Sequence, residues 1–212
     1  MSMISAVVFD LGGVLVDWNP RYLYREIFGD DFEGMERFLA EIFMTPAWNE
    51  RLDAGHPWDE VIATVAASRP EYRALLETYR DRWRETLGGP IAGTVAILEE
   101  LKGAGMPLFA LTNWSQYTFP HARERFGFLD WFGDIVVSGE EGLIKPNPEI
   151  FEILLARIGF TADRCVFIDD SLKNIEAARA LGFHVIHFRD PEQVRRDLGT
   201  LGLALQPAEG VS

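Results

Sequence analysis

The sequence predicts an α/β fold: a doubly wound parallel sheet with a helical segment inserted into it. Three observations favour this class. Short apolar runs bounded by turn residues recur along the chain, each about the length of a buried strand. Helical patterns alternate with the later runs, and one long stretch near the start is helical alone. The five apolar runs are AVVF (6–9), MPLFAL (106–111), DIVVS (134–138), CVFI (165–168) and HVIHF (184–188).

The runs differ from half-buried strands because several of them are apolar throughout, without alternation. Such runs are expected where helices cover both faces of a parallel sheet. The helical patterns between the later runs each end in a glycine, a residue suited to the C-terminus of a helix. These patterns are TVAILEELKGAG (94–105), NPEIFEILLARIGF (147–160) and SLKNIEAARALGF (171–183).

The inserted segment runs from about Asn19 to Leu87, where the pattern is helical and aromatic and shows no convincing strand. It is too long for a loop between two strands. We therefore predict a helical subdomain that leaves the sheet near Val16 and returns near residues 88–90. We expect its aromatic side chains to form its own core rather than a ligand site. The predicted division is a catalytic core at 1–16 and 89–205, a cap at 17–88 and a tail at 206–212.

Composition narrows the range of partners. The 212 residues are 48% apolar, and 20 Lys and Arg stand against 33 Asp and Glu, which gives a net charge of -13. That charge repels nucleic acids and anionic membrane surfaces, so we expect a small-molecule substrate instead. The single cysteine, Cys165, lies in an apolar run and is expected to be a buried structural thiol. With no signal peptide or apolar membrane-length run in sight, we expect a soluble, cytoplasmic protein.

Polar residues stand where the predicted strands end. In open α/β sheets, ligands bind beyond the carboxyl ends of the strands, so side chains at these ends converge on one rim. A lysine also follows the DIVVS run, just ahead of a helix. The residues concerned are Asp10, Thr112, Asn113, Lys145, Asp169 and Asp170.

This set of residue types is suited to phosphoryl transfer. Carboxylates gathered at one rim repel each other unless a cation lies among them, and oxygen ligands suit Mg²⁺. Asp10 would then be ionised and able to attack phosphorus, giving an aspartyl-phosphate that water hydrolyses. Lys145 would neutralise charge on the transferring group, while the Thr112 hydroxyl and backbone N–H groups would donate hydrogen bonds to its oxygens.

Four stretches, VVFDLGGVLVD, FALTNWS, GLIKPNPEIF and VFIDDSLKNIEAARALGF, resemble in order the four motifs of the haloacid dehalogenase-like hydrolase superfamily. The helical insert resembles the branch with an α-helical cap between motifs one and two. The resemblance implies a Rossmann-like core with a cap that closes over the active site. It also implies that Asp10 is the nucleophile, Thr112 the hydroxyl of motif two, Lys145 the motif-three lysine, and Asp169 and Asp170 the acidic pair of motif four.

The same resemblance implies a Mg²⁺ site and a substrate site. The metal would be held by Asp10, by an acid of motif four and by the backbone carbonyl of Gly12. The two glycines would turn the chain sharply and bring backbone groups close to phosphate and metal. The implied metal ligands are Asp10, Gly12, Asp169 and Asp170, and the residues implied on the substrate side are Gly12, Gly13, Asn113 and Trp114.

Gly12 departs from the commonest phosphatase pattern of this family, which has a second aspartate there as general acid and base. Losing such a group costs about 10²- to 10⁴-fold in rate. Three interpretations stay open. The protein is a phosphatase whose proton passes through water or another residue such as Asp17, a 2-haloacid dehalogenase whose leaving halide needs no proton, or a binding protein without turnover. A dehalogenase would need a cation for the substrate carboxylate, for which Arg21 and Arg25 are available.

Several residues also have purely structural interpretations. Asp10 alone would also suit a turn, Ser171 suits the N-cap of the helix that follows it, and Asn174 either orients the motif-four loop or lies on the helix surface. The four histidines lack metal-ligand spacing and receive no role. Taken together, the sequence predicts a Mg²⁺-dependent hydrolase that acts on a small phosphomonoester through an aspartyl-phosphate.

Overall fold

The structure is a computed structural model that describes residues 3–203 and 205. The predicted tail, 206–212, lies outside the described residues. Within the described part, the chain forms two sheets, one of five strands and one of two. The strands are β1 (Ala6–Phe9), β2 (Val16–Trp18), β3 (Leu87–Pro90), β4 (Leu108–Thr112), β5 (Asp134–Val137), β6 (Cys165–Asp169) and β7 (His184–His187).

The helices fall into an early group between β2 and β3 and a later group that alternates with the strands. The early group is α1 (Arg21–Phe28), α2 (Phe32–Ile42), α3 (Asn49–Asp53), α4 (Trp58–Ser68) and α5 (Arg73–Arg82). The later group is α6 (Ala92–Gly103), α7 (Phe119–Arg125), α8 (Ser138–Glu141), α9 (Pro148–Ile158), α10 (Leu172–Ala180) and α11 (Pro191–Thr200). Short 3₁₀ turns cover Pro70–Tyr72, Trp83–Thr86, Gly127–Trp131 and Ala162–Arg164.

The larger sheet is parallel with strand order β5-β4-β1-β6-β7. This confirms the predicted doubly wound fold, and each of the five apolar runs overlaps one strand of this sheet. From the central strand β1, the chain builds outward through β4 and β5 on one side and then through β6 and β7 on the other. The direction of winding therefore reverses at β1, and ligands of such sheets bind beyond the carboxyl end of the strand at this switch point.

Both faces of the sheet are buried, which explains the unbroken apolar runs. In β1, Val7 and Phe9 pack into one hydrophobic cluster, while Ala6 and Val8 pack into another on the opposite face. All four of these side chains have no exposed surface. Helix α9 covers the second face through Phe151 and its neighbours. A sheet covered on both sides leaves only its strand ends open to solvent.

The early helices pack on one another through aromatic rings. Tyr24 of α1 lies 4.7 Å from Phe38 of α2, centroid to centroid, and 5.9 Å from Phe43. Tyr24 also stacks on Tyr79 of α5 at 6.1 Å. Aromatic pairs of this geometry stabilise a core beyond the area they bury. The helical character of the segment agrees with the sequence, and its separation as a cap stays a prediction.

The two-stranded sheet was not predicted from the sequence. Strands β2 and β3 pair antiparallel, with Val16 opposite Pro90 and Asp17 opposite Gly89. Both predicted boundaries of the cap therefore fall inside paired strands. The sequence pattern for these strands is weak, because β2 has only three residues and β3 has the sequence LGGP, so neither shows an apolar run. Separately, no helix among the described residues is long and apolar enough to cross a membrane.

Candidate active site

Asp10 directly follows β1, at the switch point of the sheet. Only 8% of its surface is exposed. Its Oδ1 accepts a hydrogen bond from the backbone N–H of Leu11 at 2.7 Å and lies 2.9 Å from Lys145 Nζ. The backbone N–H of Asp10 donates to the carbonyl of Ile168 in the neighbouring strand β6. The carboxylate is thus fixed by the sheet and by one ammonium group.

Lys145 links two of the predicted carboxylates. Its buried Nζ lies 2.9 Å from Asp10 Oδ1 and 2.7 Å from Asp169 Oδ2, and it donates to the carbonyl of Leu111 at 2.8 Å. These contacts use all three donors of the ammonium group. Burial by itself would lower the pKa of Lys145, but the charges of Asp10 and Asp169 raise it above its ordinary value. Lys145 is therefore held in its charged form.

Asp169, the last residue of β6, has no exposed surface. Besides Lys145, its carboxylate accepts hydrogen bonds from Asn174 Nδ2 at 3.0 and 3.1 Å and from the backbone N–H of Ser171 at 2.8 Å. Asn174 therefore orients the motif-four loop, the first of its two sequence interpretations. Ser171 does occupy the N-cap position of α10, but its side chain makes no capping hydrogen bond with the described chain.

The three aspartates form a cluster of oxygen donors. Asp10, Asp169 and Asp170 each offer a carboxylate oxygen, and these oxygens lie within 4.8 Å of one another. Burial raises the pKa of Asp10 to about 8; Lys145 opposes this effect, and the charges of Asp169 and Asp170 add to it. Burial and the charge of Asp169 likewise raise the pKa of Asp170. Three acids face one ammonium group, so the cluster fits a hard divalent cation such as Mg²⁺.

The two glycines after Asp10 differ in their surroundings. Gly13 has a φ of +74°, and a Cβ there would lie 2.5 Å from Asp170 Oδ2. A side chain at this position would both strain the backbone and displace the acid. At Gly12, by contrast, a Cβ would meet no described atom within 4 Å. Gly13 thus suits the close approach of Asp170, whereas Gly12 leaves open space beside it.

Thr112 and Asn113 close the site from β4. The Thr112 hydroxyl is buried and has no hydrogen-bond partner in the described part of the chain. Asn113 donates to the backbone carbonyl of Lys145 at 3.0 Å and accepts from its backbone N–H at 2.8 Å. Asn113 therefore fixes the lysine loop, and the Thr112 hydroxyl is a donor that lacks an acceptor.

A cavity of about 390 Å³ opens above the aspartates. Six residues assigned from the sequence line it: Asp10, Gly12, Gly13, Asn113, Trp114 and Asp170. Thr112, Lys145 and Asp169 are buried beneath this lining. Sequence reasoning missed the other nine lining residues, which are Trp18, Asn49, Leu52, Asp53, Trp58, Tyr79, Trp83, Ser115 and Thr118.

The cavity walls are aromatic. Trp18, Trp58, Tyr79, Trp83 and Trp114 all line it, and Trp83 contacts Trp114 with ring centroids 5.8 Å apart. The expectation that the aromatic residues of the helical segment form only its own core is therefore wrong in part, because some of them also face the site. Four of the six tryptophans in the chain line this cavity, which the sequence alone does not show.

Other residues considered from the sequence lie outside the site. Asp17 accepts a hydrogen bond from the Tyr22 hydroxyl at 2.5 Å, and Arg21 pairs with Glu36 at 2.6 Å. Cys165 is buried in β6, where burial raises the pKa of its thiol to about 11, as expected of a structural cysteine. In the described chain, the acid cluster includes no histidine.

The fold and the site define a doubly wound α/β protein whose acidic and basic groups gather at the switch point of the sheet. The chain belongs to the haloacid dehalogenase-like hydrolases, since the model of that family matches residues 4–182. This finding confirms the resemblance read from the four motifs.

Named relatives include phosphatases. A sesquiterpene phosphatase of Aspergillus oryzae is 29% identical over 192 residues, which cover 88% of this chain and 90% of that protein. A phosphorylated carbohydrates phosphatase of Thermotoga maritima is 27% identical over 227 residues, with coverages of 97% and 96%. The protein is therefore a hydrolase whose relatives include phosphatases of small substrates.

A solved structure supports the fold. The crystal structure of a family enzyme from Bacteroides thetaiotaomicron, in complex with magnesium and inorganic phosphate, superposes with a TM-score of 0.68. The alignment covers 88% of this chain and 95% of that one at 19% identity. At this level of identity, the likeness shows a shared fold.

Proposed function

We propose that the protein is a Mg²⁺-dependent phosphatase of small phosphomonoesters that acts through an aspartyl-phosphate on Asp10. One observation carries the proposal. The Asp10 carboxylate stands at the open end of the central strand, 2.9 Å from a buried ammonium group, and borders the cavity together with Asp170. The phosphatase names of the relatives support it.

The residues that would hold Mg²⁺ are Asp10, Asp169 and Asp170, with the Gly12 carbonyl that the family resemblance implies. Their oxygens lie close enough for one small cation to satisfy, and oxygen is the donor that Mg²⁺ prefers. When bound, such an ion neutralises the phosphate charge and keeps the carboxylates ionised.

The chain's own residues account for the remaining chemistry. An Asp10 carboxylate oxygen attacks phosphorus, and the bond between phosphorus and the alcohol oxygen breaks. Lys145 offsets negative charge at the nucleophile, and the orphaned Thr112 hydroxyl is a donor for a phosphate oxygen. Water then attacks the phosphorus and releases Asp10 as a carboxylate.

The dehalogenase alternative needs a cation that binds the carboxylate of a haloacid. Among the described residues that line the cavity, none is an arginine or a lysine. Arg21, one of the two candidates, makes a bidentate pair with Glu36 instead. Without such a cation, a buried site that already holds the Asp10 carboxylate disfavours binding of a substrate carboxylate. The lining therefore favours a phosphate ester over a haloacid.

The same lining favours an apolar alcohol. Five aromatic side chains and Leu52 belong to the cavity lining, together with polar residues that include Asp10 and Asp170. Ligand sites of this kind bind an apolar body through their walls and orient it with a few polar groups. We therefore propose that the ester carries an aromatic or isoprenoid alcohol rather than a sugar, which agrees with one relative's name.

A paired assay tests this proposal. Phosphate release would be measured from p-nitrophenyl phosphate, an isoprenyl monophosphate and glucose 6-phosphate, and halide release from 2-chloropropionate, each with Mg²⁺ and with EDTA. We expect EDTA-sensitive phosphate release, highest for the apolar esters. Halide release that is indifferent to EDTA would instead establish the dehalogenase. If neither product appears, the phosphatase proposal is wrong.

A further inference from the structure

The proposed phosphatase, on which this inference rests, has no proton-transfer group at Gly12, beside the nucleophile. Displacing an alcohol requires a proton for the leaving oxygen, and hydrolysing the aspartyl-phosphate requires a base for water. The space at Gly12 is empty of side chain, and Asp17 is bonded to Tyr22 away from the cavity lining. A proton-transfer group must therefore come from another part of the cavity.

Asp53, the last residue of α3, lines the same cavity as Asp10 and Gly12. The side chain is partly buried. Its carboxyl makes no hydrogen bond or ion pair with any described residue. Desolvated carboxyl groups of this kind are normally paired. A free carboxyl in the lining of the cavity that also holds Asp10 is available to the substrate.

Two hydrogen bonds from the sheet side of the molecule fix the position of Asp53. Ser138 Oγ donates to the backbone carbonyl of Asp53 at 2.6 Å, and Gln116 Nε2 donates to the carbonyl of Gly55 at 3.0 Å. Ser138 in turn accepts the backbone N–H of Trp114 at 2.9 Å. The end of α3 is therefore positioned by Ser138 at the start of α8 and by Gln116 in the loop that follows β4.

We propose that Asp53 is the proton-transfer residue of this active site. In the first step, an Asp10 oxygen bonds to phosphorus, the bond from phosphorus to the alcohol oxygen breaks, and the Asp53 carboxyl gives its proton to that oxygen. In the second step, the Asp53 carboxylate takes a proton from water as the water oxygen bonds to phosphorus. The bond from phosphorus to Asp10 breaks, and both aspartates return to their starting forms.

The charges around Asp53 suit this role. Burial raises its pKa to about 7, the charge of Lys145 opposes the rise, and Glu50 adds to it. A group with such a pKa both holds and releases a proton near neutral pH. Tyr79 also lines the cavity, but burial raises its pKa far above the ordinary value. Asp53 is therefore the better acid.

The first test compares leaving groups. Asp53→Asn keeps the shape of the side chain and removes the proton, so kcat/KM for an alkyl phosphate should fall about 10²- to 10⁴-fold. For p-nitrophenyl phosphate, whose leaving group needs no proton, kcat/KM should change by no more than about threefold. Asp59→Asn is the matched control, since Asp59 is an exposed α4 carboxylate that pairs with Arg80; it should match wild type on both substrates.

The second test is rescue from the open position. Because a side chain at Gly12 meets no described atom within 4 Å, Gly12→Asp should fit and supply a carboxyl beside Asp10. Adding Gly12→Asp to Asp53→Asn should restore at least about a tenth of the lost alkyl phosphatase activity. A ¹³C NMR titration gives a readout independent of turnover, since one carboxyl that titrates near pH 7 should be missing from Asp53→Asn.

Three outcomes would overturn the assignment. An equal loss on both substrates would mean that Asp53 is structural, and no loss on the alkyl ester would mean that another group moves the proton. An unchanged set of titrating carboxyls would also exclude it. If wild-type protein releases no phosphate from any ester, the proposed phosphatase fails and the role of Asp53 fails with it. A preference for the better leaving group that appears only in Asp53→Asn would support both.

Discussion

Asp10 depends on Lys145 for its charge balance, but Lys145 does not depend on Asp10 alone. The ammonium group also contacts Asp169 at 2.7 Å and the carbonyl of Leu111 at 2.8 Å. Removing one carboxylate therefore leaves the buried lysine paired, and a substitution at Asp10 should separate chemistry from folding. A buried charge left without any partner would destabilise the protein instead.

Asp10→Asn should lower phosphate release by about 10⁴-fold or more, since the amide cannot act as the nucleophile. The far-ultraviolet circular dichroism and the unfolding midpoint should stay near those of the wild type. Asp17→Asn is the matched control, because Asp17 lies on the same segment but bonds to Tyr22. A variant at Asp10 with ordinary turnover would refute the assigned nucleophile.

Asp53 should also make the unfolding free energy of the protein depend on pH. Its folded pKa, about 7, lies above the ordinary value of about 3.9. The native state therefore holds a proton that the unfolded chain has lost, and this group makes the protein less stable as pH rises from about 4 to about 7. The unfolding free energy of Asp53→Asn minus that of the wild type should therefore be about 1 to 2 kcal/mol larger at about pH 8 than at about pH 5. Urea unfolding at both pH values measures it, and a pH-independent difference would contradict it.

At the scale of elements, the turn after β1 brings backbone and acid together. The carbonyl of Leu11 accepts the backbone N–H groups of Leu15 and Val16 at 2.8 Å, and Gly13 donates to Val16 at 2.9 Å. This tight turn places Gly13 against Asp170, the exposed member of the acid cluster. The shape of the turn and the position of one proposed metal ligand are therefore linked.

Neighbouring glycines give a matched pair of substitutions. Gly13→Ala places a Cβ 2.5 Å from Asp170 Oδ2 at a φ of +74°, so it should destabilise the protein by about 1 to 3 kcal/mol and weaken Mg²⁺ binding. Gly12→Ala meets no described atom within 4 Å and should change stability by less than about 0.5 kcal/mol. Denaturant unfolding and calorimetric Mg²⁺ titration measure both. Equal effects of the two substitutions would show that the clash at Gly13 is relieved cheaply.

The sequence predicted those elements whose signal is local. Strand ends place Asp10, Thr112 and Asp169 together because parallel strands share one carboxyl edge. Lys145 joins them from the loop ahead of α9. It did not predict the pairing of β2 with β3, because a three-residue strand and a glycine-rich one carry little hydrophobic pattern. Asp53 was missed for a different reason: only tertiary packing brings the end of α3 over the sheet.

At the scale of the whole molecule, negative charge is concentrated at the acid cluster of the active site, where it is partly buried. The chain carries a net charge of -13, and three of its acids lie within a few ångströms of each other at the site. Like charges held together oppose folding, and a ligand that binds only the folded state relieves the repulsion. Binding of a cation at this one site should therefore raise the unfolding free energy of the whole protein.

Mg²⁺ should stabilise the protein by about 2.7 kcal/mol at a concentration one hundred times its Kd. The melting temperature should rise with Mg²⁺ and return to the starting value with EDTA. Asp170→Asn should reduce the rise, because it removes one of the three oxygen donors, whereas Asp59→Asn on the surface should keep it. An identical melting temperature with and without Mg²⁺ would argue against a metal site at the cluster.

The pairing of β2 with β3 has a consequence for how this family member can be altered. Because Val16 lies opposite Pro90, the chain departs from the sheet and rejoins it at adjacent points. Replacing residues 19–86 with a short hairpin turn would keep the ladder and leave the five-stranded sheet connected as before. We therefore expect the helical insert to be exchangeable: grafting another insert onto the same two strands would change the walls of the cavity while retaining Asp10, Lys145 and the acidic pair.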